Sequence, residues 1–162
     1  MRLSTADNHW REQFAQERTR LLSALGELTE GGIVDQLQHI GATSVPGLLA
    51  WPCVDIGLVI WPFPLEPLRR AALESLGYER ISGDEGAPGQ RFGHVTGAFQ
   101  LFFCAAGSEL WIDYRLICDY VRHHEAAQRS YSIDKHAWVE HAGAQSAEHQ
   151  TAKTQYFLAM ID

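Results

Sequence analysis

The amino-acid sequence predicts an α/β fold, with helices packed against a mixed β-sheet and a helical C-terminal third. Three observations carry this. Trp10, Phe14, Leu21, Leu25 and Leu28 recur at helical spacing near the start. Residues 53–60 (CVDIGLVI) form an apolar run with the composition of a central strand, interrupted by one carboxylate, Asp55. From Ser108 onward the apolar period changes from that of strands to that of helices.

Taken in order, the spacing predicts a first helix over 8–28, with Asp7 as its N-cap and Gly31-Gly32 past its end. Ile33, Val34, Leu37 and Ile40 then mark a strand over 33–40. Residues 41–52 hold Gly41, Gly47, Pro46 and Pro52 together with Thr43 and Ser44, the composition of a specialised backbone turn. After the 53–60 strand, a helix is expected over 65–76, with prolines at its start and Gly77 just beyond it. A short strand over 78–81, a Gly/Pro-rich loop over 82–90, and a hairpin of 91–95 with 99–105 around Thr96-Gly97 follow. Helices are expected over 109–123, 125–141 and 146–161.

The chain has 162 residues, the size of one domain, and no repeat or linker divides it. A single domain over 1–162 is therefore expected. Apolar residues make up 46% and charged residues 20%, a globular balance. The net charge of −7 argues against an extended nucleic-acid-binding face. No apolar run approaches the roughly 20 residues of a membrane span, and the N-terminus lacks the apolar core of a signal peptide. A cytoplasmic protein is expected. Cys53, Cys104 and Cys118 each lie in an apolar stretch and read as buried thiols. His123 and His124 are adjacent, and His136 and His141 are five apart, so neither pair has helical metal-ligand spacing.

The stretch His39-Ile40-Gly41-Ala42-Thr43-Ser44-Val45-Pro46-Gly47-Leu48-Leu49-Ala50-Trp51-Pro52-Cys53-Val54-Asp55-Ile56 resembles the signature of the GrpB-like family, roughly H-I-G-S-T-[SA]-V-P-G-L-x-A-K-P-x-x-D-I. Trp10, Phe14 and Glu17 fit that family's W-x3-F-x2-E opening, and Leu76-Gly77-Tyr78 its L-G-Y turn. Gly107, Ser108 and Trp111 fit G-S-x2-W, residues 117–122 resemble F-R-D-Y-L-R, and Tyr131 with Lys135 fits Y-x3-K. Lys153 fits a lysine of the last helix, so the resemblance covers essentially the whole chain. It implies a nucleotidyltransferase-like fold and a small-molecule ligand, a nucleotide or something like one, with no substrate specified.

On that resemblance, Asp55 is the candidate catalytic residue and the first ligand of a Mg²⁺ ion that would neutralise phosphate charge. Gly41, Thr43 and Ser44 are candidate N–H and hydroxyl donors to phosphate, and the alternative for Thr43 and Ser44 is that they cap the local turn. His39 either orients the loop or reaches the ligand. Trp51 is a candidate stacking platform at the rim, and Arg122, Tyr131, Lys135 and Lys153 are candidate ligand contacts. The ordinary alternative pairs Asp119 with Arg122, and Tyr131 with Lys135, along helix faces.

The nucleotidyltransferase strand carries a second carboxylate two residues after the first, where this chain has Gly57. Other departures run the same way. Ala42 replaces a serine, Trp51 a lysine, Gln100 and Phe102 an H-x-H pair, and Cys118 an arginine. Two readings follow: a diverged ligand-binding or metal-dependent transfer protein centred on Asp55, or a catalytically inactive small-molecule-binding or interaction module on the same scaffold.

Overall fold

The computed structural model describes residues 3–5, 8–26, 37–61, 63–65, 67–82 and 89–142. The chain divides into two compact units, Met1–Arg115 and Leu116–Asp162. In the first unit, β1 (Ser4–Thr5) precedes α1 (Asn8–Gly26), followed by β2 (Leu37–Ile40), a 3-10 turn at Ala42–Ser44, β3 (Leu49–Ala50) and β4 (Val54–Ile60). Next come α2 (Pro67–Ser75), β5 (Tyr78–Ser82), β6 (Gly89–His94) and β7 (Phe99–Ala105). Helix α3 (Glu109–His123) begins in the first unit and ends in the second, which also holds α4 (Glu125–Ala142).

Five strands form one sheet in the order β2-β4-β7-β6-β5, and β1 pairs separately with β3. β4 and β7 run parallel, while the other neighbours are antiparallel. The parallel pair follows from the crossover through α2, since strands running the same way cannot be joined by a tight turn. The expected mixed sheet is present, and the expected elements match closely: the helix over 65–76 is Pro67–Ser75, and that over 125–141 is Glu125–Ala142. The hairpin strand β6 starts two residues before its expected start, at Gly89. Asp7, residues 27–36, most of the 82–90 loop, and the expected helix over 146–161 with Lys153 lie outside the described residues.

The alternation of β4 separates two faces. Val54, Ile56, Leu58 and Ile60 join Leu101 and Phe103 of β7 and Phe92 of β6 in the main apolar core. Trp10, Leu21 and Leu25 of α1 and Leu73 of α2 belong to the same core, so the stripe seen in the sequence is the face that packs. One polar residue shares the α1 stripe. Glu17 is 2% exposed, and it accepts hydrogen bonds from the Tyr78 hydroxyl at 3.0 Å and from Arg20 at 2.7 Å. Two distant motifs, W-x3-F-x2-E and L-G-Y, thus meet at one buried bond. Burial first, then the Glu17 carboxylate, keeps the Tyr78 hydroxyl protonated far above tyrosine's ordinary range.

Cys53, Cys104 and Cys118 are all buried and outside any disulfide, as their apolar surroundings imply, and burial pushes the Cys104 thiol up to about 11. No helix among the described residues is long and apolar enough to cross a membrane.

The Glu17–Tyr78 bond sets a test of stability. Tyr78→Phe leaves one carboxylate oxygen of a buried Glu17 without its donor, and it is expected to cost about 1.5–3 kcal/mol in chemical denaturation. Tyr78 also ionises less readily folded than unfolded, so its contribution is complete below about pH 10 and is lost as the pH rises above it. The phenylalanine variant should show an alkaline stability slope shallower by about 1.4 kcal/mol per pH unit.

Candidate functional site

The second face of the sheet carries the candidate site. Asp55, Gly57 and Val59 alternate onto it from β4. The register pairs Asp55 with Ile40 on β2 and with Gln100 on β7, and pairs Gly57 with Phe102. On β6, Arg91 stands opposite Phe102. Residues paired across a sheet present their side chains on the same side, so Ile40, Asp55, Gln100, Phe102 and Arg91 occupy one surface.

Asp55 is half-buried at the start of its strand. Its carboxylate lies directly over Gly41, so close that a Cβ at residue 41 would collide with it. Gly41 also adopts φ 70° and ψ −172°, a conformation essentially confined to glycine. Two independent demands therefore meet at this glycine, and both bring the turn under the acid.

The other loop residues build the turn itself. Ser44 donates its hydroxyl to the Gly41 carbonyl at 2.7 Å and its N–H to the same oxygen at 3.1 Å. Thr43 is buried and hydrogen-bonds His39 Nε2 at 3.0 Å. His39 stands opposite Ile56, on the core side of the sheet away from Asp55, and stacks on Phe14 with ring centroids 4.9 Å apart. Of the two roles open to His39, Thr43 and Ser44, these bonds display the turn-building one. Ala42, where the family pattern has serine, packs against the main core, which accounts for a methyl group there. Trp51 is half-buried, with its indole N–H enclosed and without a partner among the described residues.

The place of the second carboxylate is filled. A Cβ at Gly57 would lie 2.6 Å from Cζ3 of Trp111 and 3.2 Å from Cδ1 of Ile40. Trp111 is 4% exposed and packs with Val59 and Cys104 in a cluster of its own. The indole thus occupies the space that an aspartate side chain at residue 57 would need. Magnesium bound together with phosphates takes one or two protein carboxylates, and β4 offers one. Among the described residues no group of three or more His, Cys, Asp or Glu side chains is placed to hold a metal ion. Strand β4 therefore does not supply the two-carboxylate magnesium site.

A cation stands on this face that sequence reasoning missed. Arg91 donates to Gln100 Oε1 at 2.8 Å, and its guanidinium lies 4.9 Å from the centroid of the Phe102 ring. Phe102 in turn meets Tyr114 edge-to-face at 5.6 Å. Gln100 and Phe102, which look like losses beside an H-x-H pattern, together form the seat of an arginine. The available signal was the period-two placement of Arg91 between Gly89 and Gly93.

In the second unit, the helix-face pairs expected from spacing are present. Arg122 pairs with Asp119 at 2.7 Å on an exposed face, and Lys135 donates to the Tyr131 hydroxyl at 3.2 Å, with both residues buried.

The sheet order, the Gly41 turn and the acid-bearing strand define a nucleotidyltransferase-like fold. Cid1 poly(U) polymerase with MgGTP bound aligns with a TM-score of 0.59 and 12% identity, covering 86% of this chain and 45% of that one. The GLD-2/RNP-8 complex aligns with a TM-score of 0.60 and 16% identity, covering 93% and 49%. The chain belongs to the GrpB family, whose model, described as GrpB protein, matches residues 1–162. GrpB from Enterococcus faecalis aligns over 99% of this chain and 100% of its own, with a TM-score of 0.72 and 17% identity. A UPF0157 protein of Streptomyces coelicolor is 30% identical over 98% of this chain and 81% of its own length. Another, from Pseudomonas aeruginosa, is 32% identical over 82% of this chain and 54% of its own length.

The contact of Trp111 with Gly57 predicts a coupled response. Gly57→Ala is expected to destabilise by about 1–3 kcal/mol through overpacking. Introduced into Trp111→Ala, the same change should cost little or even stabilise, giving a coupling energy of about 1 kcal/mol or more in a double-mutant cycle. Additive effects would show that the indole does not fill this space.

Proposed function

We propose that the Asp55 face binds a small nucleotide-like molecule and does not carry out two-metal nucleotidyl transfer. The observation that carries this reading is the Trp111 indole packed on Gly57, beside an Asp55 held over a glycine turn. The turn and acid of a nucleotide-handling scaffold are kept, while the neighbouring position cannot take a second metal-gripping carboxylate. Asp55 then serves as a hydrogen-bond acceptor for sugar hydroxyls or base amino groups, which needs no ion. The Cid1 structure with MgGTP supports nucleotides as the ligand class to try first. We take both units as parts of one family domain acting in the cytoplasm on a small molecule, since one family model spans them.

Calorimetric titration with a panel of nucleosides and nucleotides, in Mg²⁺ and in EDTA, tests this. Binding of equal affinity in both buffers is expected, weakened about tenfold or more by Asp55→Asn through loss of a charged acceptor. Binding that requires Mg²⁺ and is abolished by that substitution would instead support metal-assisted transfer. The half-buried rings of Phe102 and Tyr114 favour a second reading, an inactive module for an apolar ligand or protein partner. That reading gains if the whole panel fails to bind.

A further inference from the structure

We propose that Arg91 is an anion-binding residue that holds the phosphate end of the ligand, while Asp55 meets its sugar or base. The proposal rests on the nucleotide-like reading of this face and adds a residue and a polarity to it. Arg91 and Asp55 share one surface of the sheet, on β6 and β4, with β7 between them. Adjacent strands lie about 4.8 Å apart, so the two columns are about 10 Å apart. A ligand with a sugar-sized body and an anionic end bridges such a span.

The arginine is prepared for an anion. Its guanidinium is aimed by one hydrogen bond, to the neutral Gln100, and supported by the Phe102 ring. Arg20, Arg122 and Arg129 are each neutralised by a carboxylate. Arg91 meets no carboxylate among the described residues, and its Nε–H is buried without a partner. A half-buried cation with an enclosed N–H and no carboxylate partner among the described residues carries a desolvation cost, and in a chain of net charge −7 this one keeps its charge for an incoming group. The planar fork of arginine suits the paired oxygens of phosphate, and stacking on a ring fixes its plane at small entropic cost. A phosphate there also explains why the face carries an acid and a base on separate strands with no direct ion pair: each meets a different part of one ligand.

The test uses three probes on the full-length protein: inorganic pyrophosphate, ATP and adenosine, titrated by calorimetry in EDTA. Arg91→Met is expected to weaken pyrophosphate and ATP about tenfold to a hundredfold and to leave adenosine unchanged. Arg91→Lys should recover part of the loss, since charge returns without the fork. Unchanged pyrophosphate affinity in the methionine variant, or wild-type protein that ignores pyrophosphate, overturns the assignment even when adenosine binds and the broader reading stands. Failure of adenosine with retained, Arg91-dependent pyrophosphate binding keeps the anion site and removes the nucleoside reading. Should Arg91→Met melt well below wild type, Gln100→Leu decides, because it keeps the charge and removes the acceptor that aims it. Pyrophosphate affinity equal to wild type in that variant also overturns the proposal.

Discussion

The indole of Trp111 rests on the bare backbone of Gly57, and this contact determines what the central strand can carry. A β-strand places every second side chain on the same face, so a metal-binding pair of acids needs residues 55 and 57 together. With Trp111 packed within 2.6 Å of where a Cβ would sit, any side chain at residue 57 forces the indole to shift. The same indole closes the cluster of Val59 and Cys104. An acid at residue 57 would therefore disturb buried packing as well as change a ligand set.

Around that fixed point, the turn at 41–44 and the acid at 55 support each other. Gly41 adopts a conformation only glycine takes easily and passes beneath the Asp55 carboxylate. Ser44 closes the turn, and His39 with Thr43 braces it from the core side. The signature stretch is long because most of its polar residues hold the backbone that presents the acid, and few of them face outward from it. Arg91, seated by Gln100 and Phe102, gives the face a positive end to match its negative one.

Much of this was legible in the sequence. The α1 stripe of Trp10, Phe14, Leu21 and Leu25, the apolar run of β4 and the limits of α3 and α4 follow from local periodicity. So do the Asp119–Arg122 and Tyr131–Lys135 pairs, because helix spacing is a local rule. The partner of Glu17 was not legible, since Tyr78 lies 61 residues away and only the tertiary fold joins them. The side taken by His39 depends on the antiparallel register of β2 with β4, which no pattern in four residues fixes. Arg91 escaped notice because Gln100 and Phe102 read as lost polar groups until the register placed Phe102 opposite it. The place of Gly57 was recognised as missing an acid, but the reason lay in Trp111, far along the chain.

The most direct measurement is anomalous diffraction from crystals grown with a non-hydrolysable nucleoside triphosphate and Mn²⁺. The account predicts ligand density over the Asp55 face, Trp111 still seated on Gly57, and no manganese pair on β4. Two manganese ions bridging Asp55 and the triphosphate, with the indole displaced, would contradict it.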